Sequence, residues 1–372
     1  LEKRILITGG AGFIGSHLAD ELLRYGYKVR ALDNLSPQVH GVKCFRPDYL
    51  DPEVELITGD VRDLQTVRQA LRGVDAIYHF AAMVGVGQSM YEITQYTDVN
   101  NVGTAVLLEA IAKRPVERLI VASSMSIYGE GLYQTSDGKT AIASERNLNQ
   151  LRAKKWEVRN EDGEILRPIA TPENKPLSFA SVYALSKYDQ ERLCLMIGRA
   201  YNIPTVALRF FNAYGPRQAL SNPYTGVLAI FASRLLNSQP PLVFEDGFQQ
   251  RDFVNVRDIA RACRLALEAD RASYGVFNIG SGQPTTIRNI AALIARAIGK
   301  RAIQPEITGH YRMGDIRHCF ADITQARTVL GYEPQVSLEK GLQELSSWIE
   351  GQKAVDYSVE ARRELEARGL TV

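Results

Sequence analysis

Hydrophobic and polar positions along the first part of the chain alternate between two rhythms. Arg4–Thr8 (RILIT) is a short apolar run that ends in glycines. Phe13–Tyr25 follows with helical spacing, so that Phe13, Ile14, Leu18, Leu22 and Leu23 share one face. Lys28–Leu32 and Val54–Ile57 predict a second and a third strand, and Ala76–Phe80 (AIYHF) and Arg118–Ala122 (RLIVA) a fourth and a fifth, with helical patterns between them. This alternation predicts an α/β fold, a doubly wound parallel sheet with helices on both faces.

The rhythm breaks between Gly131 and Ser178, a polar stretch with a basic run (Arg152, Lys154, Lys155) and an acidic one (Glu161, Asp162, Glu164). A connection this long inside a compact domain is usually functional or disordered. It reads as an insertion: a lid, an oligomer arm or, most simply, a solvated surface excursion. After Asn212 the elements become shorter and richer in Pro and Gly. Arg257–Ala269, Thr286–Ile298 and Leu338–Ile349 carry amphipathic helical patterns. The expected organisation is a nucleotide-binding domain over 1–212 carrying the insertion 131–178, a mainly substrate-binding domain over 213–350, and a charged surface tail over 351–372.

Composition narrows the class. The 372 residues are 45% hydrophobic and 23% charged, the balance of a globular protein with a large core. A net charge of +2 without clustered Lys and Arg argues against a nucleic-acid partner. The four cysteines, Cys44, Cys194, Cys263 and Cys319, are far apart and form no CxxC pair. Neither a metal site nor a disulfide framework is expected, and reduced thiols in a cytoplasm fit best. No apolar run approaches the ~18 residues of a membrane span. The chain runs from Leu-Glu-Lys-Arg straight into a strand, so no signal peptide is expected.

The first strand leads into Thr8-Gly9-Gly10-Ala11-Gly12-Phe13-Ile14-Gly15. Gly9, Gly12 and Gly15 lack the Cβ atoms that would keep a pyrophosphate away. The helix opening at Phe13 and Ile14 turns its N–H groups and positive dipole end toward the phosphates. Asp33 closes the second strand, followed by Asn34. A carboxylate there accepts from the adenosine ribose hydroxyls and repels the extra phosphate of NADP, so NAD is the expected cofactor. Asp60 and Val61 follow the third strand, where adenine would lie. Phe80, Ala81 and Ala82 follow the fourth, beside the cofactor path. His79, inside that apolar strand, reads as a packed or cofactor-facing residue rather than a base.

Tyr183 and Lys187, in Tyr183-Ala184-Leu185-Ser186-Lys187, share one face at the start of a helical pattern. An ammonium near a phenol favours the phenolate, which would lower the tyrosine pKa and create a base. Ser124 closes strand five, at the sheet edge where ligands bind in open α/β folds.

In chain order, the motifs TGGAGFIG, HFAA, SSMSIYG, YALSK and RFFNAYGP resemble the extended short-chain dehydrogenase/reductase family, the nucleoside-diphosphate-sugar epimerases and dehydratases. The resemblance covers residue 4 to about 350, apart from the insertion. It implies a Rossmann domain with a smaller C-terminal α/β substrate domain. It also implies a catalytic triad of Ser124, Tyr183 and Lys187, with Tyr183 and Lys187 reaching the cofactor as well. Asn100 matches an asparagine supporting the active site and cofactor, and Asn212 one at the substrate diphosphate. Arg251 and Arg312 match substrate-binding arginines, and Arg217 is a further candidate. Ser126 and Asp315, within the same motifs, are placed at the substrate too. Guanidinium suits phosphate through paired donors, although a plain salt bridge is the competing role for each arginine. The implied assembly is a homodimer pairing helices near 89–113 and 181–201, where Leu193, Leu195, Met196 and Ile197 could serve core or interface.

Several chemistries share this scaffold. The 4,6-dehydratases carry an Asp-Glu pair after strand five; here Met125 and Ser126 stand there and cannot move protons that way. Fucose-synthase-like epimerase/reductases use NADPH and a Cys/His pair, against which Asp33 argues. The remaining reading is C4 epimerisation: Tyr183 takes the 4-hydroxyl proton, a hydride passes to NAD, and a transient 4-keto sugar turns over and is reduced on its other face. The stretches FFNAYGPRQALSNPYTGV and FEDG, with the long insertion, are similar to the dTDP-L-rhamnose 4-epimerases, which make dTDP-6-deoxy-L-talose. UDP-hexose, UDP-HexNAc and UDP-uronic acid 4-epimerases share most of the same residues. UDP-uronic acid decarboxylases, a 4-ketoreductase that releases its cofactor, and a non-catalytic NAD-binding scaffold or sensor remain as alternatives.

Overall fold

A computed structural model describes residues 3–42, 45–143 and 145–371. Cys44 lies outside the described residues. Seven strands form one sheet: β1 (Arg4–Thr8), β2 (Lys28–Asp33), β3 (Glu55–Thr58), β4 (Ala76–His79), β5 (Arg118–Ser124), β6 (Thr205–Phe210) and β7 (Val276–Ile279). Their order is β7-β6-β5-β4-β1-β2-β3 and every pair is parallel. The order reverses between β1 and β4, the crevice where doubly wound sheets take nucleotides.

The predicted strands are all present with small shifts at their ends. β5 runs on to Ser124 because Ala122, Ser123 and Ser124 stay paired with Leu208, Arg209 and Phe210 of β6. β4 stops at His79, and Phe80 turns away while its N–H still bonds Thr8 O at 3.1 Å. The strands read as apolar runs because both faces are covered. Ile5, Ile7, Ile120 and Leu208 join the core under α1 (Phe13–Arg24). Leu6, Leu119 and Val121 face α2 (Leu64–Ala70), α3 (Gly103–Lys113) and α4 (Val182–Ala200) on the other side.

The smaller layer is built from short strands, Asn212–Tyr214, Gln250–Asn255, Pro284–Thr286 and His318–Cys319. Its core is Leu228, Phe231 and Leu235 of α5 (Val227–Leu236), Ile290 and Ile294 of α7 (Ile287–Ala297), and Leu342 and Leu345 of α8 (Leu338–Ile349). Between α5 and α7 the chain returns to the large sheet: α6 (Val256–Glu268) packs on α1, and β7 adds the last strand. Residues 256–279 thus pack with the large sheet although they follow residue 212.

The two stretches expected at the surface have structure of their own. The insertion folds into a three-stranded antiparallel sheet, with Leu132–Gln134 between Thr140–Ile142 and Arg167–Ile169. Tyr133, Val158 and Leu166 form its own small core. The basic and acidic runs are its exposed rim, but Arg146 is buried. The tail likewise docks through α9 (Ser358–Ala367), which buries Ala361 and Leu365, while Asp356 pairs with Arg234 at 2.9 Å.

Candidate active site

The glycine loop is shaped by what it cannot tolerate. Gly9 has φ +72°, and a Cβ there would meet Ala81 N at 3.0 Å. A Cβ on Gly15 would meet Gly9 O at 2.3 Å. Gly12 differs: a Cβ would touch only Gly9 O at 3.4 Å, so its bareness leaves space outside the chain for a ligand. Asp33 braces the loop, accepting from Ala11 N at 3.0 Å and Leu35 N at 2.9 Å. Asn34 donates to Asp60 at 3.2 Å. Hydrogen bonds from Arg62, chiefly, hold the Asp60 carboxyl down at about 2. Val61 is buried against Gly103. A bare-backbone turn, a helix N-terminus and a carboxylate at the end of β2 fit a dinucleotide.

Beneath this loop runs a continuous buried polar chain. Thr8 Oγ1 accepts from Phe80 N and Ala81 N at 3.1 and 3.2 Å, so its own proton goes to His79 Nδ1 at 2.8 Å. That fixes the proton on His79 Nε2, which donates to Thr104 Oγ1 at 2.8 Å. Thr104 donates onward to Asn100 O at 2.5 Å. Gln190 Nε2 also donates to Thr104, at 2.9 Å, and Gln190 Oε1 accepts from Lys187 Nζ at 2.6 Å. Burial, with Lys187 adding to it, pulls His79 down to about 3, so His79 is a neutral packing residue. Burial also pulls Lys187 down to about 8. Asn100 lies in a π-helical turn, Thr97–Val102. It clasps Met83 through both backbone atoms (2.7 and 3.1 Å) and Ser186 Oγ at 2.9 Å.

Ser181 caps α4 by accepting from Ala184 N at 3.1 Å, which sets Tyr183 and Lys187 one turn apart on the same face. Tyr183 N donates to Ser89 Oγ at 3.0 Å, and the ring stands edge-on to Tyr96. Ser124 Oγ accepts from Ser126 N and Oγ at 3.2 and 2.8 Å, and the Ser124 side chain acts to lower the Tyr183 pKa. The tyrosine pKa corrects an expectation: burial raises it, Ser124 works against that, and Lys187 directs Nζ to Gln190 instead.

Among the residues assigned to the substrate, Asn212 Oδ1 is buried with no hydrogen-bond partner among the described residues. Arg312 pairs with Asp315 at 2.7 Å and lies over the Phe244 ring. Arg251 donates to the carbonyls of Ile316 and Arg317 at 2.5 and 2.9 Å, so it fixes the segment that carries Arg312 and Asp315. Arg217 stands apart from these. It has φ +68°, pairs with Asp20 of α1 at 2.8 Å and lies over the Tyr49 ring, on the glycine-loop side.

Several residues escaped the sequence reading. Gln190 and Thr104 complete the lysine's surroundings; the (i, i+3) spacing of Lys187 and Gln190 was the available signal. Glu191 and Arg209 form a buried bidentate pair (3.0 and 2.7 Å), with Ser123 donating to Glu191 at 2.6 Å, and tie α4 to the end of β5. Among the described residues, no group of three His, Cys, Asp or Glu could hold a metal ion, and no helix is long and apolar enough to cross a membrane.

The sequence profile of the NAD dependent epimerase/dehydratase family matches residues 5–151 and 161–280. The dTDP-L-rhamnose 4-epimerase of Burkholderia thailandensis is 38% identical over 93% of this chain and 95% of its own. A putative UDP-glucose 4-epimerase of Methanocaldococcus jannaschii is 32% identical over 93% and 98%. Among solved structures, the Thermus thermophilus UDP-glucose 4-epimerase in complex with NAD superposes with a TM-score of 0.73 at 30% identity, covering 94% of this chain and 100% of that one.

Proposed function

We propose, for a chain that belongs to the NAD dependent epimerase/dehydratase family and is an enzyme of its NAD-dependent sugar epimerases, that it inverts C4 of dTDP-L-rhamnose to give dTDP-6-deoxy-L-talose. The observation that supports 4-epimerisation is the placing of Ser124 at the end of β5 and of Tyr183 and Lys187 at the start of α4, with Met125 and Ser126 next to Ser124 in the chain. Met125 is buried and Ser126 is bonded to Ser124, so dehydration has no acid and base here. The higher identity to the rhamnose enzyme supports the substrate. A UDP-sugar is the second reading, supported by the UDP-glucose relatives.

NAD, when bound, would supply reversible hydride transfer at the sugar C4. The chain's residues do the rest. Gly9, Gly12 and Gly15 with the backbone of Phe13 and Ile14 take the pyrophosphate, and Asp33 the adenosine ribose. Asn34, Asp60 and Val61 flank the adenine, and Phe80, Ala81, Ala82 and Asn100 line the path to the nicotinamide. Tyr183 holds and returns the 4-hydroxyl proton, with the Ser124 hydroxyl donating to its oxygen. Lys187, oriented by Gln190, keeps a positive charge one helical turn away. Asn212, Arg251 and Arg312 hold the diphosphate while the 4-keto sugar turns over. A homodimer pairing the helices near 89–113 and 181–201 would use their exposed apolar side chains, Val102, Leu185 and Met196. The unpaired thiols Cys194, Cys263 and Cys319 support a cytoplasmic home.

The test is a panel of dTDP- and UDP-sugars incubated with purified enzyme without added cofactor, read by NMR of the sugar protons. C4 inversion of dTDP-L-rhamnose is the expected outcome. Inversion of a UDP-sugar alone would replace the substrate, and conversion only with supplied NADH or NADPH would mean a reductase.

A further inference from the structure

The insertion meets the rest of the molecule through backbone pairing of Thr171 with Ala321, through Leu177 on the main core, and through a cluster of buried charges. Its Arg146 is buried, with Nη1 at 2.9 Å from Glu245 and Nε at 3.6 Å from Glu130. The guanidinium also covers the Tyr311 ring at 5.2 Å, and Nη2 donates to Asp315 O at 3.4 Å. The Tyr311 hydroxyl donates to that same carbonyl at 3.0 Å. Its Glu157 takes Arg317 on one oxygen and His318 Nε2 (3.2 Å) on the other. Gln250 N donates to His318 Nδ1 at 3.1 Å, so a neutral ring donates to Glu157.

Arg317, which has no exposed surface, joins the two arms that the insertion grips. Its guanidinium bonds Glu245 at 2.8 Å and Asp246 at 2.6 and 2.9 Å. Glu130, at the root of the insertion, accepts from the backbone of Arg317 and His318 at 2.7 and 3.2 Å. Glu245 has φ +53°, a left-handed conformation that a glutamate holds only when its surroundings impose it. Arg146 and Arg317 impose it from either side.

These arms end in the candidate diphosphate site. Phe244, beside the strained Glu245, lies under Arg312. Segment 311–318 carries Arg312 and Asp315, and its carbonyls hold Arg251. We propose that the inserted sheet is a clamp that fixes the Arg251 and Arg312 arms for the diphosphate of the nucleotide sugar, with Arg146 and Glu157 as its positioning residues. This rests on the assignment of Arg251 and Arg312 to the substrate made above. The partners of Arg146 and Glu157, namely Glu130, Glu245, Tyr311, Asp315, Trp156, Arg317 and His318, include no residue of the glycine loop or of the Tyr183–Lys187 helix, so these two residues govern substrate affinity and leave NAD binding and the chemical step alone.

The variants are Arg146→Gln, Glu157→Gln and the conservative Arg146→Lys, each as NAD-loaded enzyme. Glu157 is half-buried, so Glu157→Gln keeps the test open if Arg146→Gln does not fold. Amide exchange over 311–318 and titration with dTDP and with UDP are measured alongside kcat, KM and bound NAD. In Arg146→Gln and Glu157→Gln, exchange should quicken and nucleotide affinity and KM should worsen by about tenfold or more, the loss of one charge-assisted bond. Then kcat and NAD content should hold, and Arg146→Lys should recover most of the affinity. Unchanged exchange overturns the clamp. Faster exchange with unchanged dTDP and UDP affinity overturns its service to the site. Wild-type enzyme that binds neither nucleotide overturns the functional reading, while the exchange data still judge the clamp.

Discussion

Gln190→Leu isolates the buried polar chain under the cofactor path. Leucine fills similar space but offers Lys187 no acceptor, removing the 2.6 Å bond from Nζ. Burial already pulls the Lys187 pKa from 10.5 to about 8. Below pH 8 both the folded and the unfolded chain carry that proton, and burying it costs the fold roughly 3 kcal/mol. The cost is relieved as pH rises from 8 toward 10.5, where only the unfolded chain still binds the proton. A hydrogen bond to a charged donor is worth about 1.5–3 kcal/mol, and about 1.4 kcal/mol moves a pKa by one unit. Loss of the bond should therefore let Lys187 release its proton about one to two pH units lower. Because the proposed mechanism keeps Lys187 protonated in the working enzyme, the alkaline limb of kcat/KM should move down by the same interval. Gln190→Glu, which sets a carboxylate beside the ammonium, should move it up. The assay is kcat/KM of the NAD-loaded enzyme across neutral and alkaline pH, with melting temperature as a control. An alkaline limb in Gln190→Leu that overlays the wild type would refute the role given to this chain of bonds.

Gly15→Ala places a Cβ 2.3 Å from Gly9 O and 2.7 Å from Gly10 Cα, all backbone, so the loop must shift. Overpacking of this kind costs about 1–3 kcal/mol, and the purified variant should carry far less bound NAD than wild type, measured by absorbance after denaturation. Arg209→Met leaves the Glu191 carboxylate, itself 1% exposed, without its cation. That should destabilise the NAD-loaded enzyme by about 3–5 kcal/mol in denaturant titration, whereas Arg362→Met at an exposed helix pair should cost under about 0.5 kcal/mol.

The nucleotide-binding half was legible because each of its signals is local. Apolar runs such as RILIT mark strands covered on both faces, and the glycines at 9, 12 and 15 follow directly from β1. The spacing of Tyr183 and Lys187 needs only one turn of helix. What was missed depends on residues distant in sequence. The polar runs around Arg152 and Glu161 read as solvated and are the exposed rim, yet Arg146, in the same insertion, is buried against Glu245 and Asp315. The charges of the tail hid Ala361 and Leu365, and the apolar face of so short a helix is visible only once it docks. Arg217 sits in the same motif as Asn212, but its left-handed backbone turns it toward Asp20. The tyrosine expectation failed for a comparable reason. Spacing places a lysine one turn from a phenol, but Gln190 decides where the ammonium points.

The most direct test of transient oxidation at C4 is the fate of a deuterium placed there. The nucleotide sugar that the enzyme inverts is supplied with deuterium at C4, in ordinary water and without added cofactor, and the product is read by NMR. The account predicts an inverted product that keeps its deuterium at C4, because the atom leaves and returns within one closed site. Replacement of the label by solvent hydrogen would mean that C4 loses a proton instead, and would contradict the mechanism built on Ser124, Tyr183 and Lys187.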